Sequence, residues 1–166
     1  MSSKETTHRA QGTQLTQETY DRLVAELEDL TTRGRNEVAT TIEAARALGD
    51  LSENGDYHAA KDTQGKMESR IRHLQALLKH ASVVEDEGGD GSVSAGSTVT
   101  LRYHGDDEDD VQRYFVGSIE ERRADMPVVS PSAPLGKALL GKRAGDTVEY
   151  EAPGGSLKVT IVEVDA

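Results

Sequence analysis

The sequence GDLSENGDYH, residues 49–58, decides the fold because it separates two helical patterns. On each side of it, apolar residues recur at spacings of three and four, which is typical of a coiled-coil seam. The predicted seam positions are Leu23, Leu27, Leu30, Val38, Ile42 and Ala45 before the turn, and Tyr57, Ala60, Gln64, Met67, Ile71, Leu74, Leu78 and Ala81 after it. Two seams joined by a short turn predict an antiparallel helical hairpin with the acidic stretch at its tip.

The first arm of this hairpin carries start, stop and slip signals. Thr16 is a good N-cap residue for its start, and Gly49 suits the position just past its end. The apolar spacing slips near Gly34, which predicts a loosened turn over residues 31–36. Arms of about 30 residues, at a rise of 1.5 Å per residue, would reach roughly 45 Å.

The composition suits a narrow seam better than one large core. Of the 166 residues, 35% are hydrophobic and 30% are charged, with one Phe and no Trp. The absence of Cys excludes disulfides and thiolate metal sites and fits a reducing interior. No apolar run approaches about 18 residues, and residues 1–12 lack a hydrophobic signal segment. We therefore expect a cytoplasmic protein without a membrane partner.

The charge is unevenly distributed along the chain. A net charge of −11 argues against broad binding of duplex nucleic acid, which relies on a basic surface. Residues 17–82 carry 12 acidic and 9 basic side chains, whereas residues 83–166 carry 17 acidic and 8 basic ones. Contacts with nucleic acid are therefore expected only from local basic positions on the hairpin, and docking on a large protein partner stays open.

A change in periodicity divides the chain into segments. The predicted boundaries are a disordered tail at 1–13, a hairpin domain at 14–83, a charged glycine-rich linker at 84–95 and a second domain at 96–166. The second domain is predicted to have strands at 97–103, 111–119, 147–151 and 156–164, with a hairpin turn at 153–155 between the last two. A short helix through about Leu140 is predicted with Ser132 as its cap, Pro134 in its first turn and Gly141 closing it. The predicted fold class is α+β, an antiparallel coiled-coil hairpin followed by a small antiparallel-sheet domain with one short helix.

Asp50 and Glu53 allow two interpretations. In the first, Asp50-x-x-Glu53 is a capping box that opens the second helix at about Ser52, and the pattern alone favours this. In the second, the two carboxylates hold one hard divalent cation through oxygen, beside a metal in another protein's active site. Two carboxylates alone bind Mg²⁺ weakly, so the tip is not expected to be a metalloenzyme by itself.

Other charged and aromatic positions near the tip also have two interpretations. Arg46 and Lys61 are either solvated surface charges or contacts to phosphate beside the tip. Tyr57 is expected to pack beneath the turn as the last residue of the seam.

The acidic run at residues 106–110 (DDEDD) lacks the central Gly and distal Glu of a calcium loop, so a solvated turn is expected there.

Residues 45–61 (ARALGDLSENGDYHAAK) closely resemble the hairpin tip of the bacterial Gre transcript cleavage factors. Residues 129–142 (VSPSAPLGKALLGK) and 153–155 (PGG) are similar to parts of the C-terminal domain of that family. The resemblance extends over about residues 14–165, and its two separate motifs occur in the family's order.

The resemblance implies an FKBP-like C-terminal domain that docks on RNA polymerase, and a hairpin that passes through the secondary channel to the active centre. It implies that the factor, not an enzyme itself, stimulates the polymerase's own hydrolysis of backtracked RNA. The cofactor would be Mg²⁺ held jointly with the polymerase, with none tightly bound to the isolated protein, which is expected to be a monomer.

Individual residues take roles from the same resemblance. The implied roles are Asp50 and Glu53 as catalytic and Mg²⁺-binding acids, Arg46 and Lys61 as contacts near the RNA 3′ end, Asn54 and Tyr57 as supports of the tip, and Ser130, Pro131, Ser132 and Pro134 as polymerase contacts.

Two departures from the family pattern bear on how strongly cleavage is stimulated. Ser52 stands where the family commonly has Lys, and Gly55 weakens the first turn of the second helix by roughly 1 kcal/mol relative to Ala. Two other functions stay open at this point. One is a Gre-like regulator or inhibitor that binds the channel without stimulating cleavage, and the other is a peptidyl-prolyl isomerase activity of the C-terminal domain.

Overall fold

The computed structural model describes residues 12–84 and 89–165. The chain divides into two units, one containing Tyr20–Ala81 and the other containing Thr13–Thr19 with Ser82–Ala166. Residues 1–11 of the predicted tail and residues 85–88 of the predicted linker lie outside the described residues. Within the described ranges, no helix is long and apolar enough to cross a membrane.

The hairpin is helical on both sides of its tip. Its elements are α1 (Gln17–Asp29), a π-helical turn (Leu30–Gly34), α2 (Arg35–Arg46) and α3 (Gly55–His80). The amide of Thr19 donates to the Thr16 hydroxyl at 3.3 Å, which confirms Thr16 as the N-cap of α1.

The π-helical turn confirms the loosened turn predicted from the spacing. The hydroxyl of Thr31 donates to the carbonyl of Leu27 at 2.9 Å, and that of Thr32 donates to the carbonyl of Glu28 at 2.7 Å. Such hydroxyl bonds compete for carbonyl groups on the preceding turn and loosen the helix. The wider turn takes up the slip, so that Val38 returns to the seam and is buried.

The seam itself follows the sequence prediction. Every predicted seam position, on both arms, is buried or half-buried. Near the tip, Val38, Ile42 and Ala60 form a cluster against which Tyr57 and Met67 pack. Burying such side chains supplies the main stabilisation of the hairpin, at about 25 cal/mol per Å² of apolar surface.

The second unit is built on a mixed sheet. Its elements are β1 (Gln14–Leu15), β2 (Ser82–Val83), β3 (Thr98–Tyr103), β4 (Gln112–Val116), β5 (Val128–Val129), α4 (Pro134–Leu139), β6 (Thr147–Ala152) and β7 (Gly155–Asp165). Five strands form one sheet in the order β5-β4-β3-β7-β6, while β1 pairs in parallel with β2. The predicted fold class is confirmed, with an N-terminal helical hairpin and a C-terminal sheet domain with one short helix.

One edge of the sheet departs from the prediction of an all-antiparallel arrangement. The strand β5 pairs with β4 in parallel, and it is only two residues long. A period of two cannot be recognised in so short a segment. The β6–β7 hairpin forms as predicted, with Ala152 opposite Gly155, and Gly155 has a φ of +126° that favours glycine.

The segments next to the hairpin belong to the sheet unit, which differs from the predicted boundaries. The strand β1 pairs with β2, and Leu15 is completely buried, so residues 13–19 group with the second unit rather than with the hairpin. Val93 is only 2% exposed, and its amide donates to the carbonyl of Lys142 at 2.8 Å. The end of the predicted linker is therefore part of the folded domain.

Candidate functional site

The tip begins where α2 ends. After Arg46, the amide of Leu48 donates to the carbonyl of Ala45 at 3.1 Å and that of Gly49 to the carbonyl of Arg46 at 3.4 Å. Gly49 then adopts a φ of +124°, a conformation that side chains with a Cβ rarely take. The helix ends earlier than predicted, with Ala47 as its C-cap, and Gly49 lies two residues further on, where its positive φ turns the chain toward the second arm.

Asn54 joins the two arms at the tip. Its Oδ1 accepts from the amide of Tyr57 at 3.0 Å and so caps α3, while its Nδ2 donates to the carbonyl of Ala45. One side chain therefore satisfies free backbone groups at the end of α2 and at the start of α3. Its predicted role in supporting the tip is consistent with these contacts.

The capping-box interpretation of Asp50 and Glu53 is wrong. The second helix begins at Gly55, three residues later than predicted, and Asn54 is its N-cap. Asp50 instead accepts two hydrogen bonds at Oδ1, from the amide of Ser52 at 3.0 Å and from the hydroxyl of Ser52 at 2.9 Å. An Asp that bonds the residue two positions on forms a local turn, which competes with capping.

Asp50 and Glu53 are both exposed to solvent. The two bonds from Ser52, with that from the backbone amide first, lower the pKa of Asp50 below its ordinary value. The carboxyl group of Asp50 is therefore ionised at neutral pH. These two acids are no longer needed to explain the start of α3, so the capping function does not compete with an external one.

The donor atoms at the tip suit a hard cation but do not complete a site for one. Carboxylate oxygens are the ligands that Mg²⁺ prefers. Within residues 12–84 and 89–165, however, no group of three or more His, Cys, Asp or Glu side chains is arranged to hold a metal ion. Among the described residues, Asp50 and Glu53 therefore supply fewer ligands than a complete metal-holding group.

Tyr57 and Arg46 lie together beneath the turn. Tyr57 is half-buried against the Val38, Ile42 and Ala60 cluster, which confirms it as the last seam residue. The guanidinium carbon of Arg46 lies 5.7 Å from the centre of the Tyr57 ring. This distance is within the range of a cation–π contact, which favours one position for the Arg46 side chain.

Two cations near the tip stay exposed. The ammonium of Lys61 donates to the side-chain oxygen of Gln64 at 2.9 Å. In the described part of the chain, neither Lys61 nor Arg46 forms an ion pair with a carboxylate. Their positive charges are therefore not neutralised by neighbours and could meet phosphate groups.

The candidate polymerase contacts in the second unit form a turn before α4. Ser132 and Pro134 are exposed, and Ser130 and Pro131 are half-buried. The prediction that Ser132 caps α4 is wrong, because Ala133 is the N-cap and the Ser132 hydroxyl pairs with that of Ser130 at 2.8 Å. Pro134 occupies the first turn of the helix as predicted.

The carbonyl of Ser130 explains why Gly136 occupies the first turn of α4. A Cβ placed on Gly136 would lie 1.9 Å from that oxygen, so only glycine fits. Gly141 ends the helix with a φ of +78°, as the sequence predicts. The backbone of the turn at Ser130–Pro134 therefore packs closely against the first turn of α4.

The acidic run at residues 106–110 differs from the tip. All five side chains are exposed, and the run forms turns in which the amide of Asp110 donates to the carbonyl of Asp107 at 3.0 Å. It belongs to no group of potential metal ligands in the described residues. The expected solvated turn is confirmed.

Two residues in hydrogen-bonded carboxylate groups were not recognised from the sequence. Ser52 donates to the carboxylate of Asp50, and the carboxylate of Glu121 accepts from threonine hydroxyls. Ser52 was regarded only as a departure from a family pattern, although Asp-x-Ser is a signal for a local turn. Glu121 was not singled out at all. It is 5% exposed and accepts hydrogen bonds from Thr16 and Thr19, more than 100 residues earlier, and no local pattern announces such a contact.

Comparison with known proteins covers nearly the whole chain. Residues 13–83 match the family described as "Transcription elongation factor, N-terminal", and residues 88–166 match "Transcription elongation factor, GreA/GreB, C-term". The chain is 48% identical over 145 residues to transcription elongation factor GreA of Streptomyces avermitilis, with 87% of each chain covered. It is 47% identical over 157 residues to GreA of Saccharopolyspora erythraea, with 93% of this chain and 95% of the relative covered.

Among solved structures, the chain is similar to GreA factor homolog 1 (Gfh1) of Thermus thermophilus. The identity is 27%, with 93% of this chain and 99% of that chain covered, and the TM-score is 0.42.

Proposed function

The chain belongs to the GreA/GreB family of transcription elongation factors, and from this premise we propose that it binds RNA polymerase and stimulates cleavage of backtracked RNA. In this proposal the hairpin enters the secondary channel, and Asp50 and Glu53 act at the polymerase active centre. The factor is not an enzyme by itself, because it lends ligands to a reaction that the polymerase performs.

The observation that carries the proposal is the pair of exposed carboxylates at the end of a supported hairpin. Asn54 bonds both arms and Gly49 fixes the turn, so the tip has a defined shape before it meets a partner. Asp50 is exposed and ionised at neutral pH, and its bonds from Ser52 lower its pKa below the ordinary value. Preformed groups lose little freedom when the complex assembles.

Asp50 and Glu53 would hold Mg²⁺ jointly with ligands of the polymerase. When bound, Mg²⁺ supplies charge stabilisation and activates water for hydrolysis of a phosphodiester. The contribution of this chain is to bring two oxygen ligands of negative charge to the end of a helical arm. Because the described residues offer no third ligand beside them, the isolated protein is expected to bind Mg²⁺ only weakly.

Arg46 and Lys61 would contact the phosphates of the nascent RNA near its 3′ end. Both cations are exposed and neither is neutralised by a carboxylate among the described residues. Phosphate contacts of this kind position the strand without reading its sequence. Cleavage stimulation would therefore not depend on the identity of the RNA bases.

The turn at Ser130–Pro134 would contribute the docking surface on the polymerase. Ser132 and Pro134 are exposed there, and the turn packs closely against Gly136 of α4. We propose that the protein acts as a monomer in the cytoplasm, where the polymerase transcribes.

The test is RNA shortening in stalled elongation complexes. Wild-type protein should shorten the RNA, and Asp50→Asn with Glu53→Gln should reduce shortening to the level without factor. The matched control is Asp107→Asn with Asp109→Asn, which removes the same charge from the solvated acidic turn and should leave stimulation unchanged. If the wild-type protein binds the polymerase but does not shorten the RNA, it is instead a channel-binding regulator.

A further inference from the structure

Ser52 donates hydrogen bonds to only one of the two carboxylate oxygens of Asp50. Both its amide and its hydroxyl donate to Oδ1, at 3.0 and 2.9 Å. An ionised carboxylate oxygen has two lone-pair positions, so two donors occupy Oδ1 fully. In the described part of the chain, Oδ2 of Asp50 accepts no hydrogen bond.

The chain contains a second copy of this arrangement, far from the tip in sequence. The amide and the hydroxyl of Ser92 both donate to Oδ1 of Asp90, in the same Asp-x-Ser pattern. There, Oδ2 of Asp90 meets a cation, since the guanidinium of Arg143 lies 3.2 Å from it. In this copy, Asp-x-Ser thus presents its remaining oxygen to a positive charge.

We propose that Ser52 is a positioning residue, which fixes Asp50 so that Oδ2 is presented to the cation shared with the polymerase. This inference rests on the proposed function and deepens it. It assigns different roles to the two acids, with Asp50 as the preset ligand. No side-chain hydrogen bond within the described residues restrains Glu53, which adapts to the geometry of the complex.

This role changes the expected effect of a serine at position 52 on cleavage stimulation. A lysine at this position would keep the amide donor but would lack the short hydroxyl beside it, because its ammonium lies at the end of four methylene groups. The serine hydroxyl instead orients the carboxylate through a hydrogen bond to the residue two positions earlier. Ser52 is thus expected to support cleavage stimulation and not to weaken it.

Three variants test the proposal. Ser52→Ala removes the hydroxyl bond and leaves the amide bond, while Ser52→Thr keeps both donors. Ser92→Ala removes the equivalent hydroxyl from the other copy and serves as the matched control, since Asp90 lies outside the tip.

The first readout is the Mg²⁺ concentration that gives half-maximal RNA shortening in stalled complexes. For Ser52→Ala it should rise roughly threefold to tenfold, as expected for the loss of one solvent-exposed hydrogen bond. Ser52→Thr and Ser92→Ala should match the wild type. Equal Mg²⁺ dependence for Ser52→Ala and the wild type would overturn the proposal.

The second readout needs no polymerase. Three-bond scalar couplings measured by NMR on the isolated protein report the χ1 rotamers of Asp50. The wild type and Ser52→Thr should populate one rotamer, and Ser52→Ala should average over several. Equal averaging in the wild type and Ser52→Ala would contradict the positioning role.

The two readouts separate failure of this inference from failure of the proposed function. A wild-type protein that gives no RNA shortening at any Mg²⁺ concentration refutes the proposed function and, with it, this inference. A wild type that shortens RNA, together with an unaffected Ser52→Ala variant, refutes the inference alone.

Discussion

The hairpin tip and the surroundings of Glu121 both hold carboxylates through hydroxyls and amides, but they do so in opposite ways. Glu121 is buried, and it accepts from the amide of Thr16 at 2.8 Å, the hydroxyl of Thr16 at 3.0 Å and the hydroxyl of Thr19 at 2.6 Å. Asp50 is exposed, and among the residues that the structure describes it accepts hydrogen bonds at Oδ1 alone. A carboxylate whose two oxygens are both occupied stabilises the fold, whereas one with a free oxygen can act on a partner.

The position of Glu121 explains its structural value. Its carboxylate meets the first turn of α1, where unpaired amides and the helix dipole favour negative charge. Charge-assisted hydrogen bonds are about twice as strong as neutral ones. At the tip, by contrast, the helix N-terminus is capped by a neutral side chain. Asn54 caps α3, and the acids take no part in the cap.

The largest expected effect comes from removing the buried carboxylate. Glu121→Ala leaves two threonine hydroxyls and an amide without their acceptor, so the free energy of unfolding should fall by about 3 kcal/mol or more. Urea unfolding measures this loss. Glu149→Ala, which removes an exposed carboxylate from the same unit, should change the free energy by less than about 0.5 kcal/mol.

The tip should show the reverse behaviour. Asp50→Asn should lower the rate of RNA shortening in stalled complexes about tenfold to a hundredfold, because one ligand charge is lost. The free energy of unfolding should stay within about 0.5 kcal/mol of the wild type, since the side chain is exposed. A large loss of stability with little loss of cleavage would remove the distinction between the two regions.

Substituting Asn54 should change stability by an amount between those expected for Glu121 and Asp50, because Asn54 supports the tip acids but is not itself a ligand. Asn54→Ala loses the cap of α3 and the bond to Ala45, so unfolding should become easier by about 1 to 2 kcal/mol. Asn54→Asp keeps the cap acceptor but loses the donor to Ala45 and should recover part of this loss. Thermal unfolding compares the two variants, and equal stability of both with the wild type would show that the tip is not held by this residue.

The smallest expected effect is a gain in stability. Gly55 is the first residue of α3, and a Cβ added there meets no atom within 4 Å. Gly55→Ala should therefore raise the free energy of unfolding by about 0.5 to 1 kcal/mol while RNA shortening stays unchanged. A drop in cleavage at higher stability would mean that a flexible first turn is needed for function.

Much of the hairpin could be predicted from the sequence because its determinants are local and periodic. The seam, the Gly49 stop and the slip near Gly34 are all visible as spacings, and each has its counterpart in the structure. The tip acids were also located from the sequence, but their local role was predicted incorrectly as helix capping. Both Asp50 and Asn54 can cap a helix, and only the backbone conformation, extended at Asn54, decides between them.

The second unit was predicted less completely because its contacts are distant in sequence. The strand β1 is two residues long and pairs with β2, nearly 70 residues later, as its register of Gln14 with Ser82 shows. Glu121 and Thr16 are 105 residues apart. Neither contact leaves a periodic signal, so the sequence predicted residues 14–19 as part of the hairpin domain and passed over Glu121.

The central claim is that the tip supplies the oxygen ligands on which stimulated cleavage depends. Its most direct test is the rate of RNA shortening in stalled complexes as a function of Mg²⁺ concentration, at saturating factor. The wild-type protein is expected to raise the rate well above the curve without factor, and Asp50→Asn with Glu53→Gln is expected to follow the curve without factor. If the doubly neutralised protein instead follows the wild-type curve at every Mg²⁺ concentration, the carboxylates of the tip are not the source of the stimulation.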